Sequence, residues 1–310
     1  MANESSPIIS AMKATSFEIG QIFAKNDVAP DAAPNDVQRA VDALRTDLAG
    51  YFTGKELPRS VLGIDIYQYS RMPGECQRLV PTLFKLLYDV AWSLCCKKEQ
   101  FIFGSSELPD AFVPTGDGGF KILATPLHAI VFAVYFEVGL AAFNGYFLFP
   151  ALRRMLGALS VRYALTHDLL IEQDNNFYGA AIINNARILA RDALNRFLID
   201  GYTVDWFQQN LLTLESLLTL TADNLREISV LSAQTEGKIV TDLFDTTIPQ
   251  QGFKTVHLQK IGVVTSKQTT LDVYSLMLQV ALSRDDGITD KPKPKVVVSI
   301  GNLNPTGVSA

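Results

Sequence analysis

The chain has 310 residues, 48% hydrophobic and 19% charged, with 18 Phe and 10 Tyr. That composition is too apolar and aromatic for a disordered chain and shows no collagen or solenoid bias. A net charge of −5 argues against broad phosphate neutralisation, and so against a nucleic-acid partner, while leaving room for a local basic pocket. Cys76, Cys95 and Cys96, two of them adjacent, form neither a disulfide framework nor a zinc-ligand spacing, which points to a reducing cytosol. The opening MANESSPIISAMK has no basic start followed by an apolar core, so no secretory signal is expected.

Residues 1–58 read as a helical extension, with periodic segments at Ser16–Lys25 and Asn35–Tyr51 around an Ala- and Pro-rich break, and with Asn35 and Asp36 as candidate caps. SVLGIDIYQYS from Ser60 is rich in β-branched and aromatic residues and predicts a central strand. Leu79–Leu94 returns to helical spacing, with Pro81 placed in the opening turn. AFVPTGDGGFKIL, two apolar runs around Gly-Asp-Gly-Gly, predicts a tight β-hairpin.

Pro126–Pro150 is long enough to cross a bilayer, but His128, Glu137 and Asn144 within it favour a buried helix of a large core. A further helical piece near Leu152 precedes a strand at Leu159–Glu172. A helix from Ala180 to about Ala193 then runs on into more helix up to about Asn224. Lys254–Val264 and Thr270–Val280 read as paired strands, DDGITDKPKPK as a linker and VVVSIGNLN as a last edge strand.

Asp65 interrupts an apolar strand, and a carboxylate among Leu62, Ile64 and Ile66 needs a partner. Its bland alternative is a strand-end Asp capping the loop at Tyr69-Ser70. Asp117 alone fits an ordinary Asp-Gly turn. Together, a first-strand Asp and a hairpin Asp can place two carboxylates side by side, a donor set that suits hard divalent cations bound with nucleotide phosphates. The sequence lacks GxxxxGK[ST] and GxGxxG, so P-loop and dinucleotide readings have no support. His128, His167 and His257 are scattered and read as structural. Asn184, Arg187 and Arg191 share one helix face, where they serve either a triphosphate or a solvated, ion-paired surface.

The order VLGIDIYQYS, FVPTGDGGFKIL, LSVRYALTHD and NNFYGAAIINNARILA resembles the catalytic domain of class III nucleotidyl cyclases over about residues 60–282. The resemblance implies an α+β fold with a ferredoxin-like βαββαβ core, and a head-to-tail homodimer with shared active sites. It implies a division into 1–58, 59–282 as catalytic domain, and a tail at 283–310. By motif, Asp65 and Asp117 with the carbonyl of Ile66 would hold two divalent ions, Mg²⁺ or Mn²⁺. Lys260 would meet pyrophosphate. Asn184 and Arg187 would serve the transition state, with Arg191 as a further substrate contact.

Departures from the family pattern carry the specificity reading. Val113 stands where adenylyl cyclases have Lys, and Asn176 where they have Asp or Thr; neither fits the guanylyl pair. A pocket without purine-reading groups should hold a purine poorly, so the chain looks like the pyrimidine cyclases of Pycsar anti-phage defence, which make cyclic UMP or cyclic CMP from UTP or CTP. Tyr67 and Tyr69 either border the base or belong to the core. The family's Asn, four residues after the Gly, falls here on Ile183, one before Asn184. The expected protein is cytoplasmic, with no nucleic-acid partner, no direct membrane insertion, and a product read by a separate effector. Alternatives are a non-catalytic nucleotide-binding or interaction module and an atypical adenylyl or guanylyl cyclase.

Overall fold

A computed structural model describes residues 18–104, 111–173, 176–218, 253–266, 269–283, 295–304 and 306–308. The chain divides into two compact units, Met1–Leu57 with Ile171–Asn175, and Pro58–Leu170 with Asn176–Ala310.

In the first unit two helices, α1 (Glu18–Lys25) and α2 (Pro34–Phe52), are joined by side chains at their ends. Asp47 accepts from Asn26 Nδ2 and Lys25 Nζ, each at 2.8 Å. Those bonds, Asn26 first, lower its pKa. Asn35 and Asp36 do not cap α2. The helix starts one residue earlier, at Pro34, with Ala33 as its cap residue and no side-chain cap bond. Pro34 has its φ already set for a first helical position and no N–H to satisfy, so it takes that place. Asp36 instead pairs with Arg39.

The second unit is built on β1 (Glu56–Ile66), α3 (Gly74–Lys98), the short α4 (Gln100–Phe103), β2 (Phe112–Pro114), β3 (Gly118–Leu123), α5 (Pro126–Asn144), α6 (Pro150–Leu156) and β4 (Val161–Gln173). There follow β5 (Asn176–Gly179), α7 (Ala180–Arg191), β6 (Phe197–Asp200), α8 (Gly201–Leu218), β7 (Phe253–Ser266), β8 (Thr269–Ser283) and β9 (Lys295–Ile300). The sheet runs β2-β3-β1-β4-β6-β8-β7, with β5 paired to β4 and β9 to β8. Its first four strands have the order of a ferredoxin-like βαββαβ unit, so the fold is α+β as expected. The predicted hairpin is present, with Val113 opposite Phe120.

Two further local expectations are corrected. The chain does not remain helical past Ala193: α7 ends at Arg191, and Phe197–Asp200 forms a fully buried strand, parallel to β4 and antiparallel to β8. Four residues are too few to show a period, and only sheet neighbours on both sides distinguish this strand from helix. Asn224, the expected end of that helix, lies outside the described residues. Pro81 lies inside α3 rather than in its opening turn, because the helix begins at Gly74. The carbonyl its missing N–H would have engaged, that of Gln77, accepts from the Tyr69 hydroxyl at 2.8 Å.

The helix-side core joins Leu62, Ile64 and Ile66 of β1 to Leu83 and Leu87 of α3 and to Phe132 and Phe136 of α5. α3 and α5 are each long and apolar enough to cross a membrane, but 67% of the α5 window is buried within the protein, so α5 is a core helix here. On the other face Ile188 of α7 packs with Ala164, Leu198, Ile261 and Val273. The approach there is close: a Cβ at Gly63 would lie 2.1 Å from Asn185 Oδ1. Asn185 crosses this junction, donating from Nδ2 to Val61 O at 2.7 Å and Ala164 O at 2.9 Å. The C-terminal residues are part of the unit, with β9 on β8 and Val308 in the α7-side cluster.

Candidate active site

Strand alternation decides which way Asp65 points. Leu62, Ile64 and Ile66 enter the helix-side core, so Val61, Gly63 and Asp65 face the α7 side. On β4 the same rule sends Tyr163 and Leu165 to the core and leaves Arg162 on the α7 side with Ala164. Asp65 lies opposite Gly118 in the β1–β3 register, and Ile66 N–H donates to Asp117 O at 3.2 Å. At the first residue of β3, a Cβ at Gly118 would lie 2.0 Å from Ile64 O. Only glycine lets the hairpin carry Asp117 this close to β1.

The carboxylates of Asp65 and Asp117 therefore converge. Asp117 is half-buried and its pKa is raised, first by burial and then by the neighbouring Asp65, with Arg162 acting in the opposite sense. Arg162 Nε meets Asp65 Oδ2 at 2.5 Å, with side-chain exposures of 25% and 17%. Asp65 thus has its partner across the sheet at Arg162, rather than in the loop at Tyr69-Ser70.

Nothing in the sequence marks Arg162. One Arg on an alternating strand has no distinguishing local pattern, and only its register beside β1 gives it meaning. Its Nη1 donates to the carbonyl of Asp192 just past α7. Asp192 in turn holds Arg196 through Oδ1, at 2.9 Å from Nε and 2.7 Å from Nη2. Arg196 Nη1 donates to Thr306 O at 2.5 Å. This chain of bonds fixes the guanidinium of Arg162 from behind.

The remaining sequence-predicted residues are dispersed. Asn184 is 3% exposed and its Oδ1 accepts from Arg187 Nη1 at 3.2 Å, while Ile183 is 51% exposed. Arg191 is exposed in the last turn of α7. Lys260 is exposed on β7 and its Nζ meets Asp272 Oδ2 at 2.6 Å. That strand lies beyond β4, β6 and β8 from β1, roughly 19 Å away at ordinary strand spacing. Val113 sits on edge strand β2 and Asn176 on β5 beyond β4, so the sheet does not bring them together within one chain. Asn176 Nδ2 lies 3.3 Å from Tyr178 Oη. Tyr67 donates to Ala193 O at 3.2 Å, and Tyr69 packs against the core with its hydroxyl on Gln77 O.

Two histidines are held by ordinary core bonds. His128 Nδ1 lies 2.7 Å from Thr125 Oγ1 and Nε2 lies 2.9 Å from Ile102 O; His167 Nδ1 lies 3.0 Å from Ser60 Oγ. Among the described residues no group of three or more His, Cys, Asp or Glu gathers. The donor set at Asp65 and Asp117 is two carboxylates, hard donors that fit Mg²⁺ or Mn²⁺ and do not fit a zinc cage. At Asp117 burial first, and the neighbouring Asp65 second, outweigh the opposing pull of Arg162.

Solved structures with related architecture include the guanylyl cyclase Cya2, at 12% identity and TM-score 0.42, covering 71% of this chain and 92% of that one. The adenylyl cyclase CyaB from P. aeruginosa gives 12% identity and TM-score 0.40, covering 74% and 97%. The catalytic core of a rhodopsin-guanylyl cyclase with converted specificity, in complex with ATPαS, gives 10% and 0.43, covering 71% and 96%. At such identities and TM-scores these likenesses say nothing about activity, and the α+β description follows from the strand order of this chain. No family model and no curated protein matches the sequence.

Proposed function

We propose that this protein is a nucleotidyl cyclase of the class III type that converts UTP or CTP to the 3′,5′-cyclic monophosphate and pyrophosphate. The observation that carries the reading is the convergence of Asp65 and Asp117 at the β1–β3 pairing. In the reaction the ribose 3′-oxygen forms a bond to the α-phosphorus, the bond from that phosphorus to pyrophosphate breaks, and the 3′-hydroxyl proton leaves to solvent. Asp65, Asp117 and the Ile66 carbonyl would hold two divalent ions, which when bound supply a lowered 3′-hydroxyl pKa and neutralisation of phosphate charge.

Arg162, already fixed beside the pair, offers its guanidinium to phosphate oxygens. Asn184 and Arg187 of a second subunit would steady the α-phosphate, and Lys260 the departing pyrophosphate. Their dispersal within one chain fits a site completed by dimerisation, which is part of this proposal. Val113 and Asn176, with Tyr67, Tyr69 and Arg191, are assigned to the substrate pocket, where the absence of purine-reading side chains favours a pyrimidine. The catalytic portion is taken as residues 59–282, extended by the packed strand β9 and by the start of β1 at Glu56; the residues before that strand are taken as a helical extension. The reading includes a cytoplasmic homodimer, without nucleic-acid partner, whose product signals to a separate effector in anti-phage defence.

The test is incubation of the purified chain with each of the four NTPs and Mn²⁺, with products identified by mass. Cyclic UMP or cyclic CMP is expected, whereas cyclic AMP or GMP overturns the base assignment and keeps the carboxylate pair. A second reading is favoured by burial of Asn184 against its own Arg187 while Ile183 takes the exposed position: a non-catalytic module that binds nucleotide. Tight calorimetric binding of a nucleoside triphosphate with no product under any metal would select it.

A further inference from the structure

The turn between α5 and α6 breaks the usual rule that large apolar side chains on a soluble surface are scattered singly. Phe147 is 75% exposed, and Tyr146, Phe149 and Met155 are about half exposed beside it. The turn is anchored from below by Leu148 and Leu152, partly buried against the core, and by buried Leu156. Inward leucines and outward aromatics thus alternate over one short segment.

Two features show that the outward presentation is built in. Tyr146 and Phe149 have left-handed backbone, with φ of 63° and 47°, a conformation costly for bulky residues that persists only where its surroundings enforce it. Asn144 also ties the turn to the segment just before β4 from both ends of its amide, Nδ2 to Leu159 O at 2.7 Å and Leu159 N to Oδ1 at 2.9 Å. Arg153 stacks over Tyr146, its Cζ 4.8 Å from the ring centroid, and bonds Asn144 O at 3.2 Å.

Charge selects the occupant. In a chain of net charge −5, no Asp or Glu occurs between Glu137 and Asp168, while Arg153 and Arg154 fall on α6 at the turn itself. The start of α3, which meets α6 where Cys76 Sγ–H donates to Met155 O at 3.8 Å, carries exposed Arg78 beside Glu75. Exposed aromatic and thioether groups flanked by arginines match a lipid interface, where rings enter the acyl boundary and guanidinium groups meet anionic headgroups.

We propose that the Tyr146–Met155 turn docks this protein on anionic membrane surfaces through Phe147, Phe149 and Met155, with Arg153 and Arg154 on the headgroups. This is a contact that lies on the membrane and spans nothing, and it is independent of the cyclase reading.

The experiment is co-sedimentation of the full chain with phosphatidylcholine vesicles and with vesicles of phosphatidylcholine mixed with phosphatidylglycerol, followed also by the emission of a Phe147→Trp variant. Binding to the anionic vesicles with a blue shift is expected. Phe147→Ser with Phe149→Asn, the latter tolerant of left-handed backbone, should weaken it more than about ten-fold, with unchanged circular dichroism. Arg154→Gln should weaken it about five-fold, an effect that added salt abolishes. No sedimentation with the anionic vesicles, or binding that ignores these variants, overturns the proposal. So does a change of oligomeric state by light scattering in the Phe147/Phe149 variant, which would assign the patch to a second copy of the chain.

Discussion

The two faces of the central sheet each hold carboxylates taken out of bulk water, and they treat them differently. On the α7 side Asp65 and Asp117 lie together, with Arg162 across the strand and partial exposure. On the helix side Glu137 of the apolar helix α5 is partly buried and accepts a bond from the Tyr163 hydroxyl at 2.7 Å. Burial raises its pKa to about 7, and the Tyr163 bond only partly opposes that. A lone buried carboxyl relieves its cost by holding a proton, whereas a pair beside a cation stays poised for further positive charge. The contrast separates a group that serves packing from a pair suited to chemistry.

The largest effect should come from the pair. Asp117→Asn, like Asp65→Ala, is expected to lower cyclic nucleotide formation about a thousand-fold or more. Because the folded pKa of Asp117 is raised, its contribution to stability is present below the unfolded carboxylate range and is lost as pH rises through the folded value. Asp117→Asn should therefore melt no lower than the parent at neutral pH and lose stabilisation by Mn²⁺. A variant that melts early but still turns over would reverse the roles assigned to the two faces.

Glu137 should give the next largest effect, on stability alone. Its folded pKa of about 7 lies above the ordinary 4.5, so its contribution is full below that lower value and disappears between the two. The difference corresponds to about 3 kcal/mol. Glu137→Gln keeps an acceptor for Tyr163 and should flatten the fall in unfolding free energy with rising pH across that window. Denaturant titrations at a series of pH values read this directly, and a parallel slope in the variant would mean that Glu137 is not the group responsible.

The smallest predicted effect sharpens the boundary between site and scaffold at Tyr69. Its hydroxyl serves Gln77 O, the carbonyl left open by Pro81. Tyr69→Phe should cost about 1 kcal/mol, and less in a Pro81→Ala background, where an N–H is restored to that carbonyl. Chemical denaturation of the four chains of this cycle measures the coupling. Additive losses would remove the Tyr69–Pro81 link and leave Tyr69 with the substrate pocket as its one assigned role.

Elements with a strong local signature are legible in the sequence. The Gly-Asp-Gly-Gly turn between apolar runs marks the β2–β3 hairpin, and β-branched, aromatic SVLGIDIYQYS marks β1. A carboxylate interrupting that strand singles out Asp65 by local pattern alone. Strand β6 is not legible, because four apolar residues carry no period. Arg162 is not legible either, nor is its link to Asp192 or that of Arg196 to Thr306, because those contacts cross 30 to 110 positions of chain.

Sequence by itself therefore determined what short-range chemistry can specify: the hairpin, the first strand, the long helices, and two aspartates of unusual setting. Tertiary structure alone decided that Asp65 and Asp117 converge, that Arg162 rather than a loop amide meets Asp65, and that Lys260 lies at the far edge of the sheet. The physical reason is that turn and helix preferences act over a few residues. Register, burial and the field at a carboxylate are set by strands that meet only after the chain has folded.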